Sequence, residues 1–543
     1  MTNRTRTDVV LLAGFCAFLF FYGLGQFGLV GADEPRYAQV AREMLERRDW
    51  ITPVLGGQAW LEKPPLYYWQ AMVAYSLYGV SDAAARVPSA LDATFLVIAV
   101  YIFLRRFRRG VELDGALIAA SCAGVIGYAR AAGTDMALAS TFSIAILAWW
   151  GWRESGRRAY LAAFYFFLAL GALAKGPVAP FLAVLIIVLY AASVREFRVI
   201  AKTLWLPGIV LFCAISLPWY FAVQMRNPEF FRIFFLQHNL ERFSSNLYHH
   251  HAPFWYYLPV TLLALVPWAV CVTVASVESA RVWWAERSTS DPAHEGCEPQ
   301  FRVFLLLWLI VPVVFFSISR SKLPGYILPA VPAGALLLAD YLRKHLRRED
   351  DKTPAKWLVV LHSVLAGACI VPALLVGYVA AQHRLPKGQS MVGALVFGFV
   401  LAAGVGFTLF RRAGFRMLRF VTLIPVVLAV AAVLKLGSVS VDQTLSSRPL
   451  ARQIASVETY SLPLAVFGVR REVEYGLAFY RNQTIVRYER DGVPAEEHLL
   501  VTPENSRTEL EKQVAGRRIL LLGHFAPQNV DYYWVAAGPR PAQ

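Results

Sequence analysis

Charge is what this sequence has least of: 17% of its 543 residues are Asp, Glu, Lys or Arg, against 57% hydrophobic. A soluble enzyme of that length needs more charge to cover its surface, so the composition excludes that class and indicates a polytopic membrane protein. Cysteine is also sparse. Of the six, five fall in apolar runs and Cys297 in a polar loop, with no CxxC pair, which excludes a disulfide framework and a thiolate metal centre. Acids are outnumbered, 37 against 53 Lys and Arg, for a net charge of +16. That excess would suggest nucleic acid if it formed a basic face. Instead the basic residues cluster beside apolar runs, at Arg105 to Arg109, Arg153 to Arg158, Arg195 to Lys202, Arg343 to Arg348 and Arg411 to Arg419. They read as topology signals, and no nucleic-acid partner is expected.

What is present is apolar text. At ~20 residues per span, about thirteen transmembrane helices are expected: 9–30, 83–104, 112–130, 136–152, 159–174, 177–193, 203–222, 254–277, 301–318, 324–342, 356–380, 391–410 and 415–436. The first run follows Arg4 and Arg6 as a secretion signal would, but it exceeds the roughly 7–15 residues of a signal core, so it counts as a span. With the amino terminus cytoplasmic, every arginine-rich cluster lies inside. Loops 31–82 and 223–253, the turns 131–135, 175–176 and 319–323, and the carboxyl-terminal segment then all lie outside.

Within the first outer loop, Pro35 to Arg47 reads as an amphipathic helix with Tyr37, Val40, Ala41, Met44 and Leu45 on one face, suited to lie in the membrane interface. LYYWQAMVAYSLYG after Pro64-Pro65 carries headgroup-belt aromatics. The second outer loop alternates aromatic and polar residues and is expected to be partly helical. Residues 437–543 hold no spanning run. Strand-like LAVFGV, TIVRY, HLLVT and RRILLLG alternate there with helix-like REVEYGLAFY and NSRTELEKQVA. The expectation is an all-α membrane domain over 1–436 and a small α/β domain outside the cytoplasm over 437–543. That domain shows no phosphate loop, GxGxxG or nucleophile elbow, which makes it a lid or docking module.

Chemistry-bearing residues gather on the outer side. In Asp33-Glu34-Pro35 a helix cap needs one carboxylate, and a second acid with Arg36 exceeds that need. Glu62-Lys63-Pro64-Pro65 reads either as a surface ion pair before a helix or as a compact cation for a phosphate. Asp135 is a dipole-favoured acid or an ionisable group held for function, and Lys175 a snorkelling cation or a headgroup partner. Arg320, Lys322 and Tyr326 could snorkel singly; together they offer charge and hydroxyl to a phosphate. His249 to His251 with Glu62 raise a metal site, but three consecutive histidines cannot all face one ion and the spacing matches no zinc motif.

GADEPRYAQVAREM, LEKPPLYYW, TDMALAS, the ERF…HHHAPFWYYLP region and SKLPGYILPAVP, in this order, resemble the GT-C superfamily of polyprenyl-phosphate glycosyltransferases. Within it the resemblance is to the protein O-mannosyltransferase branch and most closely to the bacterial 4-amino-4-deoxy-L-arabinose lipid A transferases. It implies a GT-C fold, an undecaprenyl-phosphate-linked sugar donor and a lipid A acceptor. It also implies a multi-pass inner-membrane protein with its site and terminal domain periplasmic, and a role in polymyxin resistance. By position it implies Asp33 as the main acid, with Glu62, Lys63 and Asp135 catalytic. Arg36, Tyr37, Lys63, Lys175, Arg320, Lys322 and Tyr326 are expected toward the carrier-lipid phosphate and sugar. A monomer is expected, with no required cofactor and a divalent cation at His250 and Glu62 as the alternative.

Two rivals stand beside it. A sister enzyme would glycosylate protein or another envelope lipid. A transporter or flippase would place charges along mid-membrane paths and repeat one half in the other, whereas these charges gather at one surface and the halves do not repeat.

Overall fold

The structure is a computed structural model that describes residues 3–241, 252–288, 297–347, 356–369, 387–410, 418–514 and 516–538. It divides into two compact units. The first comprises Met1–Tyr22, Leu61–Tyr67 and Arg86–Val433; the second comprises Gly23–Trp60, Tyr68–Ala85 and Leu434–Gln543.

The first unit is helical. Among the described residues five helices are long and apolar enough to cross a membrane, and up to eight spans result if each bent helix pair counts as one. Three expected spans are interrupted. The 9–30 run leaves helix at Tyr22, where ψ turns to 124°, and Gly23 follows at φ 70°. The 112–130 run bends by 63° between Glu112–Ser121 and Ala123–Ala129. The 254–277 run bends by 114° between Phe254–Ala264 and Ala269–Ala285, next to Pro267, which has no N–H to give a helix. Apolar length marks membrane residence; it does not say that the helix is continuous.

Lipid competes for apolar side chains, so close packing and polar contacts hold such helices together. A methyl group on Gly124 would stand 2.9 Å from the Ala264 Cβ, so only glycine lets these backbones approach. Trp149 and Trp150, both essentially inaccessible, pack on Phe304 with ring centroids 5.3 and 4.8 Å away. Several basic residues of the clusters are also structural. Arg108 binds Glu154 at 2.7 Å and lies 4.5 Å from the Phe301 ring centroid, and Arg343 binds Asp340 and Glu298.

The second unit is α/β. Two short strands, β1 (Val54–Leu55) and β2 (Gln58–Ala59), form a hairpin. A five-stranded sheet follows: β3 (Leu464–Val466), β4 (Val486–Arg487), β5 (His498–Pro503), β6 (Ile519–Phe525) and β7 (Val530–Val535), in the order β4-β3-β5-β7-β6. β3 runs parallel to β4 and β5, and β7 antiparallel to β5 and β6. Leu464, Val466, Leu499 and Val501 form one buried core with Leu450, Ile454 and Leu477 of the helices Arg448–Val457 and Arg471–Arg481. Leu500, Tyr533 and Val535 form another with Leu510.

This unit also claims the amphipathic helix of the first outer loop. Asp33–Arg47 buries Tyr37, Ala38, Val40, Ala41 and Met44, and Arg42 donates to the Phe479 carbonyl at 3.2 Å. An apolar face that reads as membrane-seeking is covered by protein, because a hydrophobic stripe is satisfied by either environment.

Candidate active site

In the first unit, three stretches far apart in the chain meet. The helix Thr134–Ser155 has Asp135 in its first turn, where the helix dipole favours a carboxylate. It closes at Gly156, in the left-handed region at φ 69°, with its N–H on the Trp152 carbonyl. The helix Arg158–Lys175 then returns antiparallel and ends on Lys175, where the dipole favours a cation. The acid and the base therefore reach the same level, and Lys175 Nζ donates to Asp135 Oδ1 at 2.5 Å. Gly176 ends the second helix at φ 78°, and a Cβ there would come 2.7 Å from the Phe234 ring, so glycine is required twice over.

The SKLPGY stretch supplies the third side. Lys175 Nζ lies 4.8 Å from the Tyr326 ring centroid. A Cβ on Gly325 would fall 2.6 Å from Asp135 Oδ1 and 2.8 Å from the Tyr128 hydroxyl, so the missing side chain makes room for the carboxylate. Tyr257 holds the stretch from outside: its hydroxyl donates to the Leu323 carbonyl at 3.1 Å and accepts from the Leu323 N–H at 3.0 Å. Trp308 donates to the Pro329 carbonyl at 2.8 Å. Lys322 is buried and donates to the Ser319 carbonyl. Burial holds its ammonium below the usual lysine range. Arg320 is exposed beside it in sequence, and the Tyr326 hydroxyl has no hydrogen-bond partner among the described residues. Glu62 and Lys63 are half-buried, with Lys63 Nζ 3.3 Å from the Glu62 carbonyl. The chemistry on offer is a carboxylate and ammonium fixed against one another, a phenol hydroxyl, and a second, poorly hydrated ammonium. That is equipment for an anionic group.

The second unit holds Asp33, Arg36 and Tyr37. Asp33 is the first residue of its helix and is exposed; the N-cap position falls on Ala32, which makes no side-chain cap. It pairs with Arg36 instead, so capping does not account for it. Arg36 lies 5.1 Å from the ring centroids of Tyr37 and Trp60 and 5.6 Å from Tyr475, an aromatic cage that fixes the guanidinium. Tyr37 is buried and tilts against Tyr68 at 6.3 Å, which places it in packing. Glu34, not Asp33, turns back to accept the Val30 N–H at 3.0 Å. His250 lies outside the described residues. Among the described residues no group of three or more His, Cys, Asp or Glu is arranged to hold a metal ion.

Comparison with known proteins gives the lineage. The family model for dolichyl-phosphate-mannose-protein mannosyltransferase matches residues 8–234. The undecaprenyl phosphate-alpha-4-amino-4-deoxy-L-arabinose arabinosyl transferase of Pseudomonas paraeruginosa is 32% identical over 355 residues, 64% of this chain and 62% of that protein. Transferase 2 of that name from Pseudomonas fluorescens is 31% identical over 408 residues, 74% of this chain and 70% of its own. The Aeromonas hydrophila protein of that name is 30% identical over 444 residues, 79% and 78%. This chain belongs to that arabinosyl transferase family.

The chain spans 62% and 60% of the length of the first two such relatives, those of Pseudomonas paraeruginosa and Photorhabdus laumondii. Its fold is that of ArnT from Cupriavidus metallidurans. The crystal structure of that protein bound to undecaprenyl phosphate superposes with a TM-score of 0.75 at 24% identity, covering 98% of this chain and 99% of the other. The apo state gives 0.77 at 23%, covering 99% and 100%. The GT-C fold expected from the motifs, a multi-pass helical membrane protein with a small terminal sheet region, is therefore the fold observed. Sequence reasoning about this family member passed over Tyr128, Tyr257 and Gly325. Both tyrosines fall within runs read as spans, 112–130 and 254–277, where apolar length hides a functional hydroxyl, and a glycine whose purpose is a neighbour's carboxylate leaves no local signal.

Proposed function

We propose that this protein is a glycosyltransferase that moves 4-amino-4-deoxy-L-arabinose from undecaprenyl phosphate to lipid A phosphates at the periplasmic face of the inner membrane. The observation that carries the reading is the meeting of Asp135, Lys175 and the SKLPGY stretch at one point of the first unit. The relatives' names supply the sugar and the carrier.

As the glycosyl group leaves, positive charge grows on the sugar and negative charge on the phosphate, so cations set at that phosphate stabilise the transition state more than the ground state. Lys63, Lys322 and the Tyr326 hydroxyl are assigned to that charge. Lys175 is held by Asp135 and orients Tyr326. Arg36 and Asp33 enter through their motif: a lipid A phosphate is already anionic and needs no general base, which frees Asp33 to bind the ammonium of the sugar or to hold Arg36 in place. No metal or cofactor is given a step, and the protein acts as a monomer.

Mass spectrometry of lipid A from cells with and without the protein tests this. An aminoarabinose mass increment that depends on the protein is expected; identical spectra would sink the reading. The match to the mannosyltransferase family model favours a protein acceptor as the second reading, and labelled carrier sugar offered to both acceptors separates the two.

A further inference from the structure

The second unit contains a cavity of about 720 Å³, walled by the helices Arg448–Val457 and Arg471–Arg481, the 458–461 turn, Arg42 and residues 80–82. None of the residues assigned to transfer lines it. Its lining carries four arginines against two acids.

Two of those arginines are spent on the wall. Arg448 donates to Asp82 and Asp442 and to the carbonyls of Gly25 and Gln26. Arg481 grips Glu458 in a bidentate pair at 2.8 and 2.7 Å. The other two keep donors in hand. Arg42 uses Nε on Glu46 and Nη1 on the Phe479 carbonyl, and Nη2 has no partner among the described residues. Arg452 is exposed and has no acid or carbonyl partner among the described residues. Arg448 pairs with Asp82 and Asp442, Arg481 with Glu458 and Arg42 with Glu46, so among the described residues Arg452 is the lining arginine without an acid partner, and Arg42 adds a free donor at Nη2.

Each acid of the lining is held by an arginine, which fixes the wall, and a fixed wall that keeps guanidinium donors free is how proteins hold phosphate oxygens. The volume lies in the range of small-ligand sites and far exceeds what a bare phosphate fills. At the rim the Tyr460 ring, 58% exposed, offers a face to a sugar, and Thr459 and Ser461 add hydroxyls.

We propose that this cavity binds a phosphomonoester carried on a sugar, gripped by Arg42 and Arg452, with the carrier either a membrane lipid or a free sugar phosphate. The site is separate from the transfer residues and does not depend on the proposed reaction.

The test is equilibrium binding to the full chain in detergent, with glucosamine 1-phosphate and inorganic phosphate as soluble probes, and to nanodiscs with and without lipid A. Arg452→Gln is expected to weaken glucosamine 1-phosphate binding about tenfold, the loss of one charge-assisted contact, and Arg452→Glu more. Arg42→Gln should reproduce the effect. Arg452 is exposed, so its variants are expected to keep the elution volume and circular dichroism of the wild type. If lipid A nanodiscs retain the wild type but not Arg452→Glu, the ligand is lipid-borne; if only the soluble probe responds, it is a free sugar phosphate. Binding that no variant alters, absence of binding, or inorganic phosphate binding as tightly as the sugar phosphate overturns the proposal. The readout is binding, so failed transfer in the lipid A experiment leaves it untouched.

Discussion

Lys175 and Asp135 are worth more as a pair than the two ions would be apart. Each sits at the helix end whose dipole favours it, and their side chains are 14% and 24% exposed, so removing one strands the other in a poorly hydrated place. Lys175→Met and Asp135→Asn should each lower sugar transfer by roughly 100-fold, the size of a lost preorganised charge. In a double-mutant cycle followed by transfer of labelled sugar, the pair should lose little more than either single change; additive losses would mean that the residues act separately. Gly325 is tied to the same carboxylate. A Cβ there falls 2.6 Å from Asp135 Oδ1, so Gly325→Ala must displace the acid or the SKLPGY stretch. Transfer should fall at least about tenfold, and in an Asp135→Ala background the alanine should add a smaller loss, the part owed to the Tyr128 hydroxyl 2.8 Å from that Cβ. An equal drop in both backgrounds would place the glycine's importance elsewhere.

Strands and helix ends are legible where local chemistry sets them, and β5 shows both the success and its limit. HLLVT announces a strand by its branched residues, and all of its first five positions are buried. Nothing in the text says that its first residue is a core histidine. His498 is fully buried; its Nδ1–H donates to the Glu496 carbonyl at 2.7 Å, and Nε2 lies 2.5 Å from the Tyr488 hydroxyl, so both ring nitrogens are hydrogen-bonded inside the core. Burial accordingly lowers its pKa. A histidine depressed on folding binds its proton more readily when unfolded, so its contribution is intact above the unfolded value of about 6.5 and is lost as pH falls from there toward the lower folded value. Thermal unfolding of the full chain at pH 7.5 and at pH 5.5 checks this. The wild type should lose more apparent Tm on acidification than His498→Gln, and equal losses would show that His498 does not titrate on unfolding. β7, VDYYWV, escaped the sequence reading altogether. It lies near the end of the text yet between β5 and β6 in the sheet, a position decided by pairing partners and not by its own residues.

Long-range assembly is what the text conceals most. The runs that form spans are visible, but the breaks within them and the grouping of Gly23–Trp60 with Leu434–Gln543 in one compact unit depend on contacts across hundreds of residues. Polarity across the membrane is a different matter, because it follows from charge near the span ends. The helix Thr134–Ser155 carries the argument: its 22 residues, at ~1.5 Å per residue, run roughly 33 Å in all, with Asp135 near one end and Arg153 and Glu154 near the other. The Asp135 end meets Lys175 and the SKLPGY stretch, while at the opposite end Arg153 pairs with Glu196 and Glu154 with Arg108. Arg320 and Arg157 are both exposed, near the first and second of these ends. Single cysteines placed there test the orientation directly. A membrane-impermeant maleimide should label Arg320→Cys in intact spheroplasts and Arg157→Cys only after permeabilisation. Cys297 is replaced by serine in both variants, and the other five native cysteines are buried or half-buried, so background labelling stays low. Labelling of both positions from one side would contradict the span order between them, and labelling in the reverse sense would place Lys175 and the SKLPGY stretch in the cytoplasm, where a periplasmic lipid A acceptor could not reach them.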